Sequence, residues 1–227
     1  MNNEEPIACF DSDIITACGM HPGFVKLDSI LDTIGRGLTF IPRALAEKNP
    51  SMRQLVPYTV IMLGSFYLVY RRTRKSDEIG LRGKYSIGTS GHINESDERR
   101  LERIPQQGTN KIRNLILSAA KREIEEEIRI SSKNLAEPRF LGFVFDDSTQ
   151  VSKKHFGVAL LARLSTTPIG TEISIDSVEQ SIGKPRFWDL YTLKANREKF
   201  ETWSQILIDH FLEKENAVKT DENPGSR

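Results

Sequence analysis

The sequence predicts an α/β protein (α+β by some schemes), with strand-like segments on both sides of one long central helix and a second helix closing the chain. Three features carry that reading. Residues 111–130 repeat apolar side chains at helical spacing, with Leu117, Ala120, Ile124 and Ile128 forming one stripe. Segments 55–70, 139–145 and 155–164 are apolar and rich in β-branched and aromatic residues. Residues 198–213 set Phe200, Trp203, Ile206, Leu207 and Phe211 along an amphipathic helix.

The elements follow in order. Residues 1 to about 50 hold a weak strand, a helix near 27–34 and a strand near 38–42, punctuated by Gly19, Gly23, Gly35 and Gly37. In 55–70, two β-rich runs around Gly64-Ser65 read as a hairpin with a tight turn, leaving through the cationic cluster Arg71, Arg72, Arg74 and Lys75. Residues 84–87 form a short strand running into Gly88-Thr-Ser-Gly-His-Ile93, and the polar stretch 94–110 is a loop with at most one helical turn. Thr109 or Asn110 can cap the central helix. Strands at 139–145 and 155–164 are joined by a polar linker, and 187–193 is a shorter strand or turn. The expected organisation is an N-terminal extension, 1–37, packed on a domain of residues 38–213, followed by a polar tail, 214–227.

Composition narrows the function classes. A net charge of +1 gives no global field toward nucleic acid or an anionic membrane. The uncharged stretch 55–70 is too short, and too broken by Pro57 and Gly64-Ser65, for a comfortable membrane span. No basic and apolar leader opens the chain, so Cys9 and Cys18 are expected to be reduced packing residues of a cytoplasmic protein.

Chemistry concentrates in residues 122–130. Glu123, Glu126 and Glu127 share one helix face, while Glu125 points to solvent. Three clustered carboxylates repel one another, and a hard divalent cation compensates them through oxygen ligands. A solvated acidic helix face is the plain alternative, and the flanking sequence argues against it.

Arg122-Glu-Ile-Glu-Glu-Glu-Ile-Arg-Ile130 resembles the core of the Nudix box, Arg-Glu-U-x-Glu-Glu-x-Gly-U with U aliphatic, departing only at Arg129, where the box has glycine. The full box begins with a glycine, five residues, a glutamate and seven further residues before the arginine. Strict counting selects Gly108 and Asn114. Ser90-Gly91-His92, directly after a strand, fits the box glycine better and makes 94–110 largely an insertion, with the upstream acid absent or supplied by Glu95, Asp97 or Glu98. The Gly91–Asn94 form, with Gln54-Leu-Val-Pro-Tyr58 before it and Phe200-Glu-Thr-Trp-Ser204 after it, resembles a prokaryotic branch of Nudix-type predicted phosphoesterases, over roughly residues 40–212.

The resemblance implies an α/β/α sandwich with a mixed sheet and a hydrolase that cleaves a nucleoside diphosphate linked to another moiety, using Mg²⁺ or Mn²⁺. It implies Glu123, Glu126 and Glu127 as metal carboxylates, with a backbone carbonyl of Ser90 or Gly91 as a further ligand. Arg122 would orient a carboxylate, and Glu126 and Glu127 would share the catalytic work. Members differ in which glutamate takes the proton from water; Glu172 and Glu179 fall in a plausible later loop. Arg71, Arg72 and Arg74 are candidate phosphate contacts, with a solvated rim as the alternative, and His92 is a candidate for orienting substrate. His155, Phe200 and Trp203 read as structural, and Trp188 and Tyr191 as weak candidates for base stacking or a dimer surface. The expected partner is a small-molecule nucleotide or diphosphate, with neither membrane nor nucleic acid; many members pair, which leaves a homodimer open. A Nudix-fold protein that binds a nucleotide or protein partner without turnover is the alternative function.

Overall fold

The computed structural model describes residues 5–26, 30–75, 79–102, 111–150, 152–165 and 182–222. Among the described residues, ten strands form one mixed sheet: β1 (Pro6–Asp11), β2 (Gly23–Lys26), β3 (Thr39–Pro42), β4 (Met52–Leu63), β5 (Phe66–Arg71), β6 (Tyr85–Ser86), β7 (Gly88–Ser90), β8 (Arg139–Phe145), β9 (His155–Arg163) and β10 (Arg186–Trp188). Seven α-helices among the same residues accompany them: α1 (Asp13–Ala17), α2 (Ile30–Arg36), α3 (Arg43–Ala46), α4 (Glu95–Glu102), α5 (Lys111–Ile128), α6 (Leu190–Ala195) and α7 (Thr202–Glu222).

The main path of the sheet runs β10-β5-β4-β9-β8-β2. Its centre is the parallel pair β4 and β9, in register from Gln54 opposite His155 to Met62 opposite Arg163. The expected hairpin is β4 and β5, turning at Gly64, whose φ of 58° glycine adopts without a Cβ penalty. The free edge of β4 is shared: β1 pairs with Met52–Gln54, β7 with Tyr58–Val60, and β5 with the end. Pro57 sits where β4 changes from one partner to the next, a place where a strand tolerates a residue lacking an N–H. β1 and β2, both before residue 38, are hydrogen-bonded strands of this same sheet.

Alternation along the strands gives the sheet two apolar faces. On one, Leu55, Phe156, Val158 and Leu160 meet Ile112, Leu115, Ile116 and Ala119 of α5, and Ile61 and Ala162 continue the contact with Ile124 and Ile128. On the other, Tyr58, Val60, Ala159 and Leu161 meet Leu207, Ile208 and Phe211 of α7. The result is the layered sandwich expected from sequence. Among the described residues no helix is long and apolar enough to cross a membrane. Cys9 and Cys18 are free thiols, and burial pushes that of Cys9 up to about 12.

Three elements differ from expectation. Residues 95–102, read as loop, form α4. The C-terminal helix starts at Thr202 and runs to Glu222, because Glu201 caps it and leaves Phe200 outside in extended conformation. Residues 187–193 divide into β10 and α6, the latter capped by Asp189, which accepts from the Thr192 N–H at 2.7 Å.

Candidate functional site: the Arg122 hub

The site forms where the chain leaves β7, passes through Gly91–Asn94 and enters α4, facing the C-terminal half of α5. Arg122 organises it. Its Nε and Nη2 donate to the two oxygens of Asp97, each at 2.9 Å. Nη2 also donates to the His92 carbonyl at 2.8 Å, and Nη1 to Glu123 at 2.6 Å and Glu126 at 3.0 Å. Those five bonds use every N–H that a guanidinium has. Burial works against its charge, but the bonds from Asp97 and Glu123 outweigh burial and hold it protonated.

Of the acids that could stand upstream of the box arginine, Asp97 is the one bonded to Arg122 through both carboxylate oxygens. It is fully buried, its Oδ2 accepts from the Asn94 N–H at 2.9 Å, and its own N–H donates to the Asn94 carbonyl, so it also closes the first turn of α4. Five residues separate Gly91 from Asp97, the spacing of the box glycine from its acid. The insertion therefore falls after the acid, between Asp97 and Arg122. A 2.6 Å ion pair between Glu98 and Lys111 bridges its two described ends. The Gly108 and Asn110 readings lie outside the described residues, as do Glu172 and Glu179.

Gly91 matters for its missing side chain. A Cβ there would lie 1.9 Å from the carboxyl carbon of Glu123, so the bare backbone of the loop closes directly over that carboxylate, and a side chain at 91 would push the carboxylate aside. Enclosed in this way, Glu123 has its carboxyl pushed up to about 7 by burial, with Arg122 pulling it back and Glu126 adding to the rise. Glu127 is buried at 5% exposure and acts electrostatically on Tyr70, whose hydroxyl donates to the Gly88 carbonyl at 2.7 Å. Glu126 is more than half exposed.

The strands sort the cationic cluster. Arg72 lies on the box-helix face with Tyr70; its guanidinium sits 5.4 Å from that ring and reaches the Ser90 hydroxyl at 3.4 Å. Arg71 turns to the opposite face, donating to the Gly83 carbonyl at 2.9 Å beside Tyr85. Arg74 is exposed in the turn that follows. His92 directs its carbonyl to Arg122 and its ring to Gln54, with Nε2 to Oε1 at 2.7 Å. Trp188 packs between Tyr85 and Phe200 in the α7 core, whereas Tyr191 is 60% exposed and donates to Glu215. Asp97, buried and hydrogen-bonded twice to Arg122, is the residue that sequence reasoning left as one of three candidates for an acid that could also be absent; counting five residues from Gly91 is the signal that points to it.

Among the described residues, no three histidine, cysteine, aspartate or glutamate side chains are already gathered as a metal-binding group. The donor type still suits a hard cation: carboxylate oxygens gathered at the mouth of a loop.

No family model matches the chain. The protein YmaB of Bacillus subtilis is 27% identical over 202 residues, covering 88% of this chain and 91% of YmaB. Tm1382, a candidate Nudix hydrolase, superposes with a TM-score of 0.70 at 25% identity, covering 92% of this chain and 99% of Tm1382. A Nudix hydrolase from Alicyclobacillus acidocaldarius shares the fold at a TM-score of 0.51 and 10% identity, over 69% of this chain and 90% of its own. With a sandwich matched over nine-tenths of its length and the box arginine at the hub of its loop and helix, this chain belongs to the Nudix superfamily.

Proposed function

We propose that the protein is a metal-dependent hydrolase that cleaves the diphosphate linkage of a nucleotide or nucleoside diphosphate derivative. The observation that carries this reading is the closure of Gly91 over Glu123, with Arg122 joining Glu123, Glu126, Asp97 and the loop carbonyl into one unit. A purely solvated acidic face needs neither the glycine nor the buried arginine.

Glu123, Glu126 and Glu127, with a carbonyl of Ser90 or Gly91, would hold Mg²⁺ or Mn²⁺. The bound ion neutralises phosphate charge and lowers the pKa of a coordinated water. The chain's own residues do the rest. Arg122 fixes the Glu123 and Glu126 carboxylates in orientation, and Asp97 fixes Arg122. Arg72, beside Ser90 on the same face as Glu127, supplies a cation for a phosphate oxygen. Glu126 and Glu127 are the carboxylates that would take the proton from an attacking water.

The test is phosphate or pyrophosphate release from a panel of nucleoside diphosphate derivatives with Mg²⁺ or Mn²⁺, comparing wild type with Glu126→Gln. The expected outcome is cation-dependent turnover in the wild type, reduced about 10²-fold or more in the variant. Turnover indifferent to that substitution removes the metal assignment. Tight, metal-independent nucleotide binding without turnover replaces the enzyme with the binding protein.

A further inference from the structure

The side chain of His92 leads away from the carboxylates into a second polar cluster. Gln54, on β4, is fully buried, accepts or shares the His92 hydrogen bond through Oε1, and has an amide nitrogen with no hydrogen-bond partner among the described residues. A buried amide lacking a partner is costly, so such a group points to a ligand or solvent that completes it. Next to Gln54, in register on the parallel strand, stands His155, whose ring centre is 6.0 Å from that of His92. Both imidazoles are half-buried rather than sealed. Arg43, at the start of α3, is near enough for its charge to act on His92; its side chain is 16% exposed and paired to Glu47 at 2.9 Å. Arg43, His155 and Arg122 each act against a positive charge on His92. Basic groups and a spare amide donor thus gather around the His92 ring, with Glu47 as the carboxylate that pairs with Arg43.

We propose that Gln54, His92, His155 and Arg43 form a subsite for a phosphate group, and that the substrate carries a phosphomonoester beyond the diphosphate it is cleaved at. The substrate part rests on the hydrolase reading above; the anion subsite does not. A phosphomonoester dianion offers only acceptors, and it would meet the spare Gln54 amide N–H and the guanidinium of Arg43, while neutral His92 gives its Nε2–H to Gln54 and so orients that amide. His92 joins the two halves, since its backbone is held by the box arginine while its ring shapes the subsite.

The first experiment measures the thermal shift produced by inorganic phosphate on the full chain, with chelator present and ionic strength matched with chloride, for wild type, Arg43→Gln, Gln54→Met and Glu126→Gln. Phosphate should stabilise the wild type and Glu126→Gln alike, and its dissociation constant should weaken about tenfold in Arg43→Gln and Gln54→Met. Arg43 is near the surface, so its variant reports even where Gln54→Met fails to fold. A shift absent from the wild type, or unchanged in Arg43→Gln, overturns the subsite. The second experiment compares paired nucleoside diphosphate derivatives with and without an added phosphomonoester. The phosphorylated member should show a KM about tenfold lower at similar kcat, and Arg43→Gln should erase that preference. Phosphate binding without any such preference assigns the subsite to free phosphate and overturns the substrate class. Phosphate binding intact alongside an absence of hydrolysis on every substrate leaves the subsite standing and removes the hydrolase reading instead.

Discussion

Residues 88–91 separate two enclosed carboxylates, Glu201 buried and Glu123 partly so, that are held by opposite means. On the α5 side, Gly91 leaves room for Glu123, which faces a guanidinium. On the α7 side, Gly88 leaves room for the ring of Tyr58, where a Cβ would lie 2.2 Å from the ring, and Tyr58 donates to Glu201. Glu201 meets no cation among its hydrogen-bond partners. It accepts from the hydroxyls of Tyr58, Ser86 and Ser204 and from the Trp203 and Ser204 N–H groups that open α7. Burial, then the Glu201 charge, keeps the Tyr58 phenol protonated and donating. One carboxylate is thus saturated by neutral donors and does a helix cap's work; the other is enclosed beside a charge that Asp97 already shares. The saturated carboxylate serves structure, and the one left reliant on a shared charge is the one that the proposed function assigns to the metal.

The widest separation between the two sites is in stability. Glu201→Ala removes a cap and strands a buried phenol and serine, so it should destabilise the fold by about 3 kcal/mol or more. Glu123→Gln leaves Arg122 paired with Asp97 and should change metal-free stability at pH 7 by less than about 1 kcal/mol, while abolishing cation-dependent turnover. Denaturant melts of the two variants check this; equal losses would erase the distinction drawn here.

A second contrast lies within the site, between Glu123 and His92. Burial raises the Glu123 carboxyl to about 7 from an ordinary 4.5, and lowers the His92 imidazole to about 3 from 6.5, with Arg43 and His155 adding to the latter. The folded state holds the Glu123 proton more tightly, so its contribution to stability is full below about 4.5 and lost as pH rises to about 7. The folded state resists protonating His92, so that contribution is full above 6.5 and lost as pH falls toward about 3. Between roughly 4.5 and 6.5 the two slopes oppose. Melting temperatures measured with chelator should therefore rise with pH across this window in Glu123→Gln and fall in His92→Gln, with the wild type between them. Three parallel profiles would show that neither group titrates as the geometry requires.

The same contrast explains what could be read from sequence. The α5 stripe was legible from its helical period, and the β4–β5 hairpin, β8 and β9 from continuous apolar, β-rich runs that the sheet buries on both faces. α4 was not, since 95–102 is almost wholly polar and its helix depends on the Asn94–Asp97 closure and on Arg122 arriving from 25 residues away. The parallel pairing of β4 with β9 was equally hidden, because apolar alternation does not name a partner strand. In the site, the glutamates of α5 announced themselves through local spacing. Asp97, Gln54 and Arg72 acquire their meaning from strand register and a long-range ion pair.

Arg129 offers the smallest effect and the finest test. It stands where the box has glycine, and its φ of 53° shows the backbone making the turn that glycine makes. Its N–H bonds to the Glu125 carbonyl at 3.2 Å, the single closing bond of a left-handed helix end. Arginine in that conformation costs on the order of 1 kcal/mol, partly offset by the greater freedom glycine has when unfolded. The departure from the box thus sits in the side chain, which is exposed, while the backbone geometry is kept. Arg129→Gly should raise stability by about 0.5 kcal/mol and leave turnover within about twofold of wild type, measured by denaturant melts and by the phosphate-release assay. A loss of stability would mean that the arginine side chain, and not the turn, secures the end of α5 behind Glu126 and Glu127.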